Sequence, residues 1–297
     1  MKTKQQSETL DYFEKNAADW AKQGKINSGN KVNVIKQRND FVLQVIKNRK
    51  RTNLALDIGC GTGDLVCEIA SKGINAVGID FAKKMIAIAR NKMRILKCEK
   101  AEFKCCSIFD FPLEPNTYDV ISANGFIEYI SYMELRQLLK LSRKSLRPGG
   151  SLILGSRNRL FNIFSLNKFT QEEIENKNIS ALLFEAIRIT NSKNIDDISG
   201  FRTAPLQKEG KKHKGTKVKV STRYQFTPAQ LINMLKNSGF KPVEIFPIHI
   251  HGVASKFKDK NPAIHANISN LLQNYADNNI SLITKASSFM IHAKKIR

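Results

Sequence analysis

The chain has 297 residues, of which 41% are hydrophobic and 25% charged, and its formal net charge is +23. A chain of this length buries about three-quarters of its unfolded surface, so it needs no disulfide or metal to hold the fold together. No apolar run approaches the roughly 18 residues of a membrane span, and we expect no secretory signal, because no apolar stretch follows the first lysines. Collagen-like, disulfide-stapled, integral-membrane and wholly disordered classes are excluded.

The positive charge leaves two interpretations open. An excess of lysine and arginine is typical of proteins that bind nucleic acid or an anionic membrane. The chain is also rich in Lys, Asn and Ile, which A/T-rich codons encode, so coding bias explains the charge equally well. One patch is dense, with six lysines in residues 208–219, and it predicts either a solvated surface loop or a binding segment.

The five cysteines include no Cys-x-x-Cys pair. Their odd number and their spacing favour neither a disulfide framework nor a zinc site. We therefore expect no metal ligand, and a reducing cytoplasm is the expected compartment.

Strands and helices alternate over much of the chain. Short apolar runs predict strands, and amphipathic segments between them predict helices. The expected strands cover residues 54–58, 74–79, 102–106, 118–123, 151–156, 241–248 and 287–293. This alternation predicts an α/β fold with a parallel, doubly wound sheet and right-handed crossovers.

The α/β pattern lapses twice, which divides the chain into four parts. Apolar residues at near-helical spacing favour a helical cap at the N-terminus, and aromatic residues after the fifth strand predict a lid that excludes water from a pocket. The expected parts are a cap (1–50), a core (51–157), a lid insertion with the basic patch (158–222), and the end of the core (223–297) with a second insertion at 252–285.

The core resumes at a strong helix signal. Thr227 is a candidate N-cap, Pro228 occupies the first helical position, and Gly239 ends the helix. Threonine accepts a hydrogen bond from the first turn, and proline lacks the N–H that this turn leaves unpaired.

The most informative motif is a glycine-rich turn between the first strand and the next helix. It reads Asp57-Ile58-Gly59-Cys60-Gly61-Thr62-Gly63-Asp64. Glycines there allow backbone conformations that other residues avoid and let a ligand approach the main chain. Asp80 ends the next strand, where an acid can accept hydrogen bonds from both hydroxyls of a ribose. Aspartates beside the glycines favour a positively charged ligand such as S-adenosylmethionine over a pyrophosphate, which needs bare N–H groups.

The chain resembles class I S-adenosylmethionine-dependent methyltransferases in four successive motifs: DIGCGTGD, VGIDFAKKMIAIAR, FDFPLEPNTYDVISANGFIEYI and LRPGGSLIL. It is most similar to the small-molecule branch, such as the ubiquinone and menaquinone biosynthesis methyltransferases. The resemblance covers residues 50–156 firmly, and 223–248 and 287–295 loosely. It implies a Rossmann-like seven-stranded sheet whose last strand is antiparallel.

The resemblance also implies the residues that bind the cofactor, S-adenosylmethionine, and its product S-adenosylhomocysteine. The glycine turn would pass beneath the methionine part, Asp57 would hold the amino group, and Asp80 would take the ribose hydroxyls. The implied residues are Asp57, Gly59, Cys60, Gly61, Gly63, Asp80, Phe81, Met85, Ser107, Ile108 and Asn124.

Two of these residues carry a qualification, and one further residue is a candidate. Met85 can equally be a residue of the helix core. Ser107 stands where the family usually has an acid for the adenine amine, so the backbone at Ile108 would take that role. Upstream, Arg38 could pair with the cofactor carboxylate or lie at the surface.

Catalysis requires chiefly that the acceptor atom be held in line, about 3 to 3.5 Å from the methyl group. A general base would add about 10²–10⁴-fold. Open α/β sheets bind ligands at the carboxyl ends of their strands. His249 and His251 alternate at the end of the sixth strand, and Glu128 and Tyr129 follow the fourth, so these four are the candidate catalytic residues, each with a structural role as the alternative.

The predicted function is methyl transfer to an oxygen or nitrogen atom of a small metabolite, which can be lipophilic or carrier-linked. The alternatives are an RNA or protein methyltransferase and a non-catalytic, cofactor-binding partner subunit. Nucleic acid ranks second because the fourth strand ends in Ala123-Asn124-Gly125-Phe126, not in the Asn-Pro-Pro-Tyr type used on base amines. The basic, aromatic lid also permits peripheral contact with an anionic membrane.

Overall fold

Seven strands form one sheet in the computed structural model, which describes residues 4–24, 31–200, 202–207, 224–277 and 279–296. The strands are β1 (Leu54–Ile58), β2 (Asn75–Asp80), β3 (Ala101–Cys105), β4 (Tyr118–Ala123), β5 (Leu146–Arg157), β6 (Phe240–Ile250) and β7 (Ala286–Lys295). Their spatial order is β3-β2-β1-β4-β5-β7-β6. β1 to β5 pair in parallel, and β7 lies antiparallel between β5 and β6. The predicted Rossmann-like sheet with an antiparallel last strand is confirmed.

The helices precede, connect and extend these strands. In chain order they are α1 (Lys4–Gly24), α2 (Val34–Lys47), α3 (Asp64–Ser71), α4 (Lys83–Ile95), α5 (Tyr132–Ser145), α6 (Phe161–Ser165), α7 (Lys168–Glu175), α8 (Ile179–Asn191), α9 (Pro228–Asn237), α10 (Ser255–Lys260) and α11 (Pro262–Gln273). Three short 3-10 helices cover Ile127–Tyr129, Ile195–Ile198 and Ile280–Lys285. Within the described ranges, no helix has the length and apolar character needed to span a membrane.

Both faces of the sheet are buried, as the alternation along its central strands shows. Ile121 and Leu152 belong to a core that also contains residues of α5, α8 and α9. Their neighbours Val120 and Ile153 face a second core with residues of α2, α3 and α4. Strands that are buried on both faces have nearly continuous apolar sequences, which explains why the apolar runs locate them.

Helix α9 begins where the sequence predicts. Thr227 Oγ1 accepts a hydrogen bond from the Gln230 N–H at 3.2 Å, and Gln230 Oε1 accepts one from the Thr227 N–H at 2.9 Å. Pro228 occupies the first turn, and Gly239 follows the helix with φ +78°. The lysine patch at 208–219 lies outside the described residues.

Strand β5 is longer than expected. The sequence predicts a turn at residues 147–150 and a strand from Ser151, whereas the strand begins at Leu146. Leu146 pairs with Tyr118, and a register shift between Tyr118 and Val120 accommodates the intervening residues. The sheet therefore extends through the Pro-Gly-Gly segment, because a bulge absorbs it.

The expected lid divides into two structurally different parts. Leu182 and Ile189 of α8 are fully buried in the core shared with α5 and α9. Residues of α6 and α7, by contrast, line the large cavity described below. Within the described part of this insertion, the segment near residues 161–175 covers a pocket, and α8 packs as part of the core.

Candidate functional site

A cavity of about 1160 Å³ lies at the carboxyl ends of the parallel strands. Its walls come from the ends of β1, β2, β4, β5 and β6 and from helices α1, α2, α6 and α7. This is the edge at which open α/β sheets bind ligands. Fourteen predicted site residues line the cavity: Asp57, Gly59, Cys60, Gly61, Asp80, Phe81, Met85, Ser107, Ile108, Asn124, Glu128, Tyr129, His249 and His251.

The glycine turn forms the wall at one end of the cavity. Gly59 has φ +70°, and a Cβ there would lie 2.8 Å from Cδ2 of Phe126, so the position requires glycine. Gly61 has φ +52°, and a Cβ there would enter open space. Gly63 is the N-cap of α3 with φ +76° and packs against Phe103. It shapes the turn and is the one predicted site residue that does not line the cavity.

Two carboxylates lie beside the turn, of which Asp57 is buried and Asp80 is half-buried. Asp80 accepts hydrogen bonds from the N–H groups of Gly61 at 3.0 Å and Ala82 at 2.9 Å, and Asp57 accepts one from Ser122 Oγ at 2.7 Å. Burial raises the pKa of Asp57 to about 7 and that of Asp80 to about 6, and the charge of Asp80 raises the pKa of Asp57 further. A cation nearby would restore the ionised forms, so this end favours a positively charged ligand.

Asn124 gives an independent sign of a ligand at this end. Its side chain is buried, and neither amide atom finds a hydrogen-bond partner within the described part of the chain. A buried amide left unpaired costs about 1–3 kcal/mol. Open space at Gly61, two carboxylates and this amide match the nucleoside and amino-acid groups of S-adenosylmethionine, so the residues present fit the implied cofactor.

The wall beyond the carboxylates is largely apolar. Phe81, Met85, Ser107 and Ile108 line it. Met85 is buried and clusters with Ala17 of α1, so it is both wall and core. Ile108 is buried as well. A largely apolar wall of this kind suits a purine ring.

Positive and polar side chains line the cavity near the ends of β4 and β5. Arg157 Nε lies 4.0 Å from Glu128 Oε2, and Arg38 donates a hydrogen bond to Ser288 Oγ at 3.1 Å. Glu128 and Tyr129 are buried in the 3-10 helix after β4, and both line the cavity. This part of the cavity can therefore hydrogen-bond a polar or anionic ligand.

A histidine cluster lies beside the end of β6. His249 lies in the strand, His251 directly follows it, and His265 joins them from α11, with 2.9 Å between Nε2 of His249 and Nε2 of His265. Burial lowers the pKa of His251 to about 3 and that of His249 well below its usual range. The two imidazoles are therefore neutral at pH 7, and they are weak bases.

A buried ion pair holds α6 and α7 over the cavity. Arg159 donates hydrogen bonds to the two carboxylate oxygens of Glu173 at 2.9 and 2.8 Å. Asn162 donates to Glu173 Oε1 at 3.0 Å and to Gln225 Oε1 at 2.8 Å. Because Asn162 also lines the cavity, the ion pair positions part of the cavity wall.

One residue of the site, His265, was not identified from the sequence. It left no sequence signal, because only the packing of α11 against β6 places it beside His249. Arg38, for which the sequence left a surface position as the alternative, lines the cavity.

Comparison with known proteins identifies the domain that carries this site. The family described as "Methyltransferase domain" matches residues 55–150. The chain is 27% identical over 159 residues to a ubiquinone biosynthesis O-methyltransferase of Hydrogenovibrio crunogenus, covering 53% of this chain and 63% of that protein. It is 30% identical over 112 residues to a demethylmenaquinone methyltransferase of Bacillus mycoides, covering 36% and 46%. Protein and tRNA methyltransferases are also among the matching relatives.

The fold likeness extends over nearly the whole chain. The magnesium protoporphyrin IX methyltransferase of Synechocystis PCC 6803, solved with bound S-adenosylhomocysteine, superposes with a TM-score of 0.57 at 15% identity and covers 97% of both chains. The chain spans about half the length of the two curated quinone-pathway relatives. The sequence likeness is thus concentrated in the cofactor half of the molecule.

Proposed function

We propose that this chain, whose residues 55–150 match the family described as "Methyltransferase domain", is a class I S-adenosylmethionine-dependent methyltransferase that transfers a methyl group to an oxygen or nitrogen atom of a small molecule. The observation that carries this proposal is the continuous cavity of about 1160 Å³ between the glycine turn and the histidines. A single ligand usually fills about 300–1,000 Å³. The cavity therefore has room for the cofactor and a small acceptor together.

The cofactor end binds by charge and by hydrogen bonds. Asp80 accepts from the ribose hydroxyls while the N–H groups of Gly61 and Ala82 hold its carboxylate in place. Asp57 attracts the ammonium, and Asn124 pairs its amide with the amino-acid part. When bound, S-adenosylmethionine supplies a methyl group already activated on a sulfonium, so the electron pair of the broken C–S bond stays on sulfur as the acceptor bonds to carbon.

The acceptor end orients the second ligand. Glu128 and Tyr129 offer hydrogen-bonding groups, and Arg38 and Arg157 offer positive charge. His249 and His251 are weak bases because burial lowers their pKa values. An acceptor with an acidic hydroxyl, such as a phenol or enol, needs less help from a base than an alcohol does. We therefore favour an oxygen acceptor of this kind.

The first test measures cofactor binding. The purified chain should bind S-adenosylmethionine and S-adenosylhomocysteine in calorimetry, and Asp80→Asn should weaken both by about 10- to 100-fold, the value of a hydrogen bond to a charged group. Glu102→Gln is the matched control, because Glu102 is an exposed acid of β3 paired with Lys104. Equal affinities of wild type and Asp80→Asn would refute the assigned site.

The second test identifies the acceptor class. Cofactor labelled in its methyl group is incubated with the chain and with separated small-molecule, RNA and protein fractions of a cell extract. Label in the small-molecule fraction supports the proposal. Label confined to RNA or protein would overturn it in favour of the macromolecular alternative, and cofactor binding without transfer to any fraction would favour a non-catalytic subunit.

A further inference from the structure

Three histidines meet at the acceptor end of the cavity. His249 and His251 come from β6 and His265 from α11, and one ring nitrogen of each lies within 4.8 Å of the others. Their ring centroids are 4.2 to 5.1 Å apart. His249 and His251 also line the cavity, so the cluster borders the space left for an acceptor.

The cluster is poorly satisfied by the protein itself. Both ring nitrogens of His251 and Nδ1 of His265 are buried and lack a hydrogen-bond partner within the described residues. Each unpaired buried polar group costs about 1–3 kcal/mol. The ring of Phe161 packs on His251 at 4.4 Å, which adds apolar contact and no donor or acceptor. A ligand that accepts a lone pair would satisfy one nitrogen of each neutral ring, and the other nitrogen of that ring carries an N–H.

The backbone at His249 is held in an unusual conformation. Its φ is +55°, a left-handed region that non-glycine residues enter uncommonly and at a cost of about 1 kcal/mol or more. The side chain of Gln37 accepts a hydrogen bond from the His249 N–H at 2.9 Å, so α2 helps to hold it. This conformation directs the imidazole toward His265.

We propose that His249, His251 and His265 bind one divalent transition-metal ion, Zn²⁺ foremost, whose fourth coordination position faces the acceptor end of the cavity. Neutral imidazole suits zinc and its first-row neighbours. Three protein ligands with one open position are the arrangement of catalytic zinc sites.

The required movement is small. Zinc–nitrogen bonds of about 2.0–2.1 Å in a tetrahedron place ligand nitrogens about 3.3 Å apart. The Nε2 atoms of His249 and His265 are 2.9 Å apart, and the widest separation in the cluster is 4.8 Å. Side-chain rotations of about an ångström would therefore form the site, without displacement of β6 or α11.

The charge around the cluster predicts what occupies the fourth position. Three neutral ligands leave both charges of the metal uncompensated, and Arg38 and Lys258 add positive charge to the same wall. Asp259 is close enough to His265 to affect its pKa, and it offsets only part of this charge. An anionic oxygen is thus the favoured fourth ligand. Given the proposed function, on which this step rests, the acceptor presents a phenolate, enolate or carboxylate oxygen to the metal.

The test uses Co²⁺ as a spectroscopic substitute for Zn²⁺. The full chain is stripped of metal with a chelator, dialysed and titrated with Co²⁺ alone. We expect one equivalent to bind with the intense visible absorption of tetrahedral Co²⁺, without the near-ultraviolet band of a thiolate ligand, and Zn²⁺ to displace it. His265→Ala should weaken binding by at least about 100-fold, since loss of an outer-shell partner alone costs 10–100-fold.

The controls separate a built site from nonspecific binding. His292→Gln changes another buried histidine, whose Nε2 bonds Ser151 Oγ at 2.9 Å, and it should bind Co²⁺ like wild type. If His265→Ala unfolds by circular dichroism, His265→Asn and His249→Asn provide the same test. The metal site would be overturned if the wild-type chain gave no tetrahedral Co²⁺ spectrum or gave a thiolate band. It would also be overturned if the folded variants bound Co²⁺ as tightly as the wild type.

The metal site and the proposed function fail separately. If the chain showed no Co²⁺ site and still transferred methyl groups to small molecules at the same rate after metal removal, the metal site would be refuted. The proposed function would then be unaffected. A Co²⁺ site in a chain that transfers no methyl group to small molecules would establish the site and refute the function.

Discussion

Cofactor binding should depend on pH through Asp57, because the carboxylate that attracts the ammonium is half protonated in the free protein near neutral pH. Its pKa is raised to about 7 by burial, whereas the ammonium of the ligand stays protonated below about pH 7.7. Protonated Asp57 has no charge to offer. Affinity for a ligand with an ammonium group should therefore fall as the pH falls below 7.

The size of the effect follows from the titration of one group. With a pKa of about 7, the ionised fraction falls from about one half at pH 7 to about 1% at pH 5, so affinity falls by about 50-fold if only the carboxylate form binds. Asp80 has a lower pKa, of about 6, so its protonation also lowers the affinity between pH 7 and pH 5. A comparison of two ligands separates the two carboxyl groups.

Calorimetry with S-adenosylhomocysteine and 5′-methylthioadenosine makes that comparison. 5′-Methylthioadenosine contains the adenosine and lacks the amino-acid part. The affinity of both ligands should therefore depend on the ionisation of Asp80, and only the affinity of S-adenosylhomocysteine should depend on that of Asp57. The ratio of their affinities should fall by about 50-fold from pH 7 to pH 5, and Asp57→Asn should make it independent of pH. A ratio that is constant in the wild type would refute the assignment of Asp57 to the ammonium.

Three changes test the packing around the site by urea denaturation. Gly59→Ala would place a methyl group 2.8 Å from Phe126 at φ +70°, and we expect a loss of about 2–4 kcal/mol in the free energy of unfolding; a neutral result would contradict this geometry. Glu173→Gln leaves Arg159 buried without its counter-charge, so a loss of about 3–5 kcal/mol is expected, and an unchanged midpoint would show that the ion pair does not hold the cavity wall. Thr227→Ala removes the N-cap of α9 and should cost about 1 kcal/mol, whereas Thr227→Ser should not; equal losses in both variants would show that the hydroxyl is not what matters.

The sequence was sufficient for the sheet and for the glycine turn because both depend on local pattern. A strand buried on both faces must be apolar throughout, so β1 and β4 were recognisable from composition alone. The glycine turn was recognisable because positive φ angles at Gly59 and Gly61 restrict the residues that fit there. These constraints act over a few neighbouring residues and therefore leave a trace in the sequence.

The acceptor end could be predicted only in part, because it is assembled from distant segments. His249 and His251 were found through their alternation at a strand end. His265 reaches them only because α11 packs back on β6, which no periodicity records. Similarly, aromatic and aliphatic residues of α8 suggested a cover over the site, yet Leu182 is fully buried in the core beside α9. Apolar spacing shows that one face of a helix is buried, but it does not show which part of the protein packs against that face.

The distribution of charge along the cavity ties the two ends to one function. The carboxylates of Asp57 and Asp80 lie beside the glycine turn, whereas Lys258 lies close enough to the three histidines to add to the effect of burial in lowering their pKa values. The protein thus favours a cationic ligand at one end and an anionic ligand at the other. In a cavity of low dielectric constant, opposite charges on two such ligands attract far more strongly than in water. Transfer of a methyl group from a sulfonium to an anionic oxygen cancels both charges, and exclusion of water favours a reaction in which charge disappears. The same polarity would disfavour an acceptor molecule that carries a positive charge, and this supports the proposed oxygen acceptor over one that brings a second cation into the cavity.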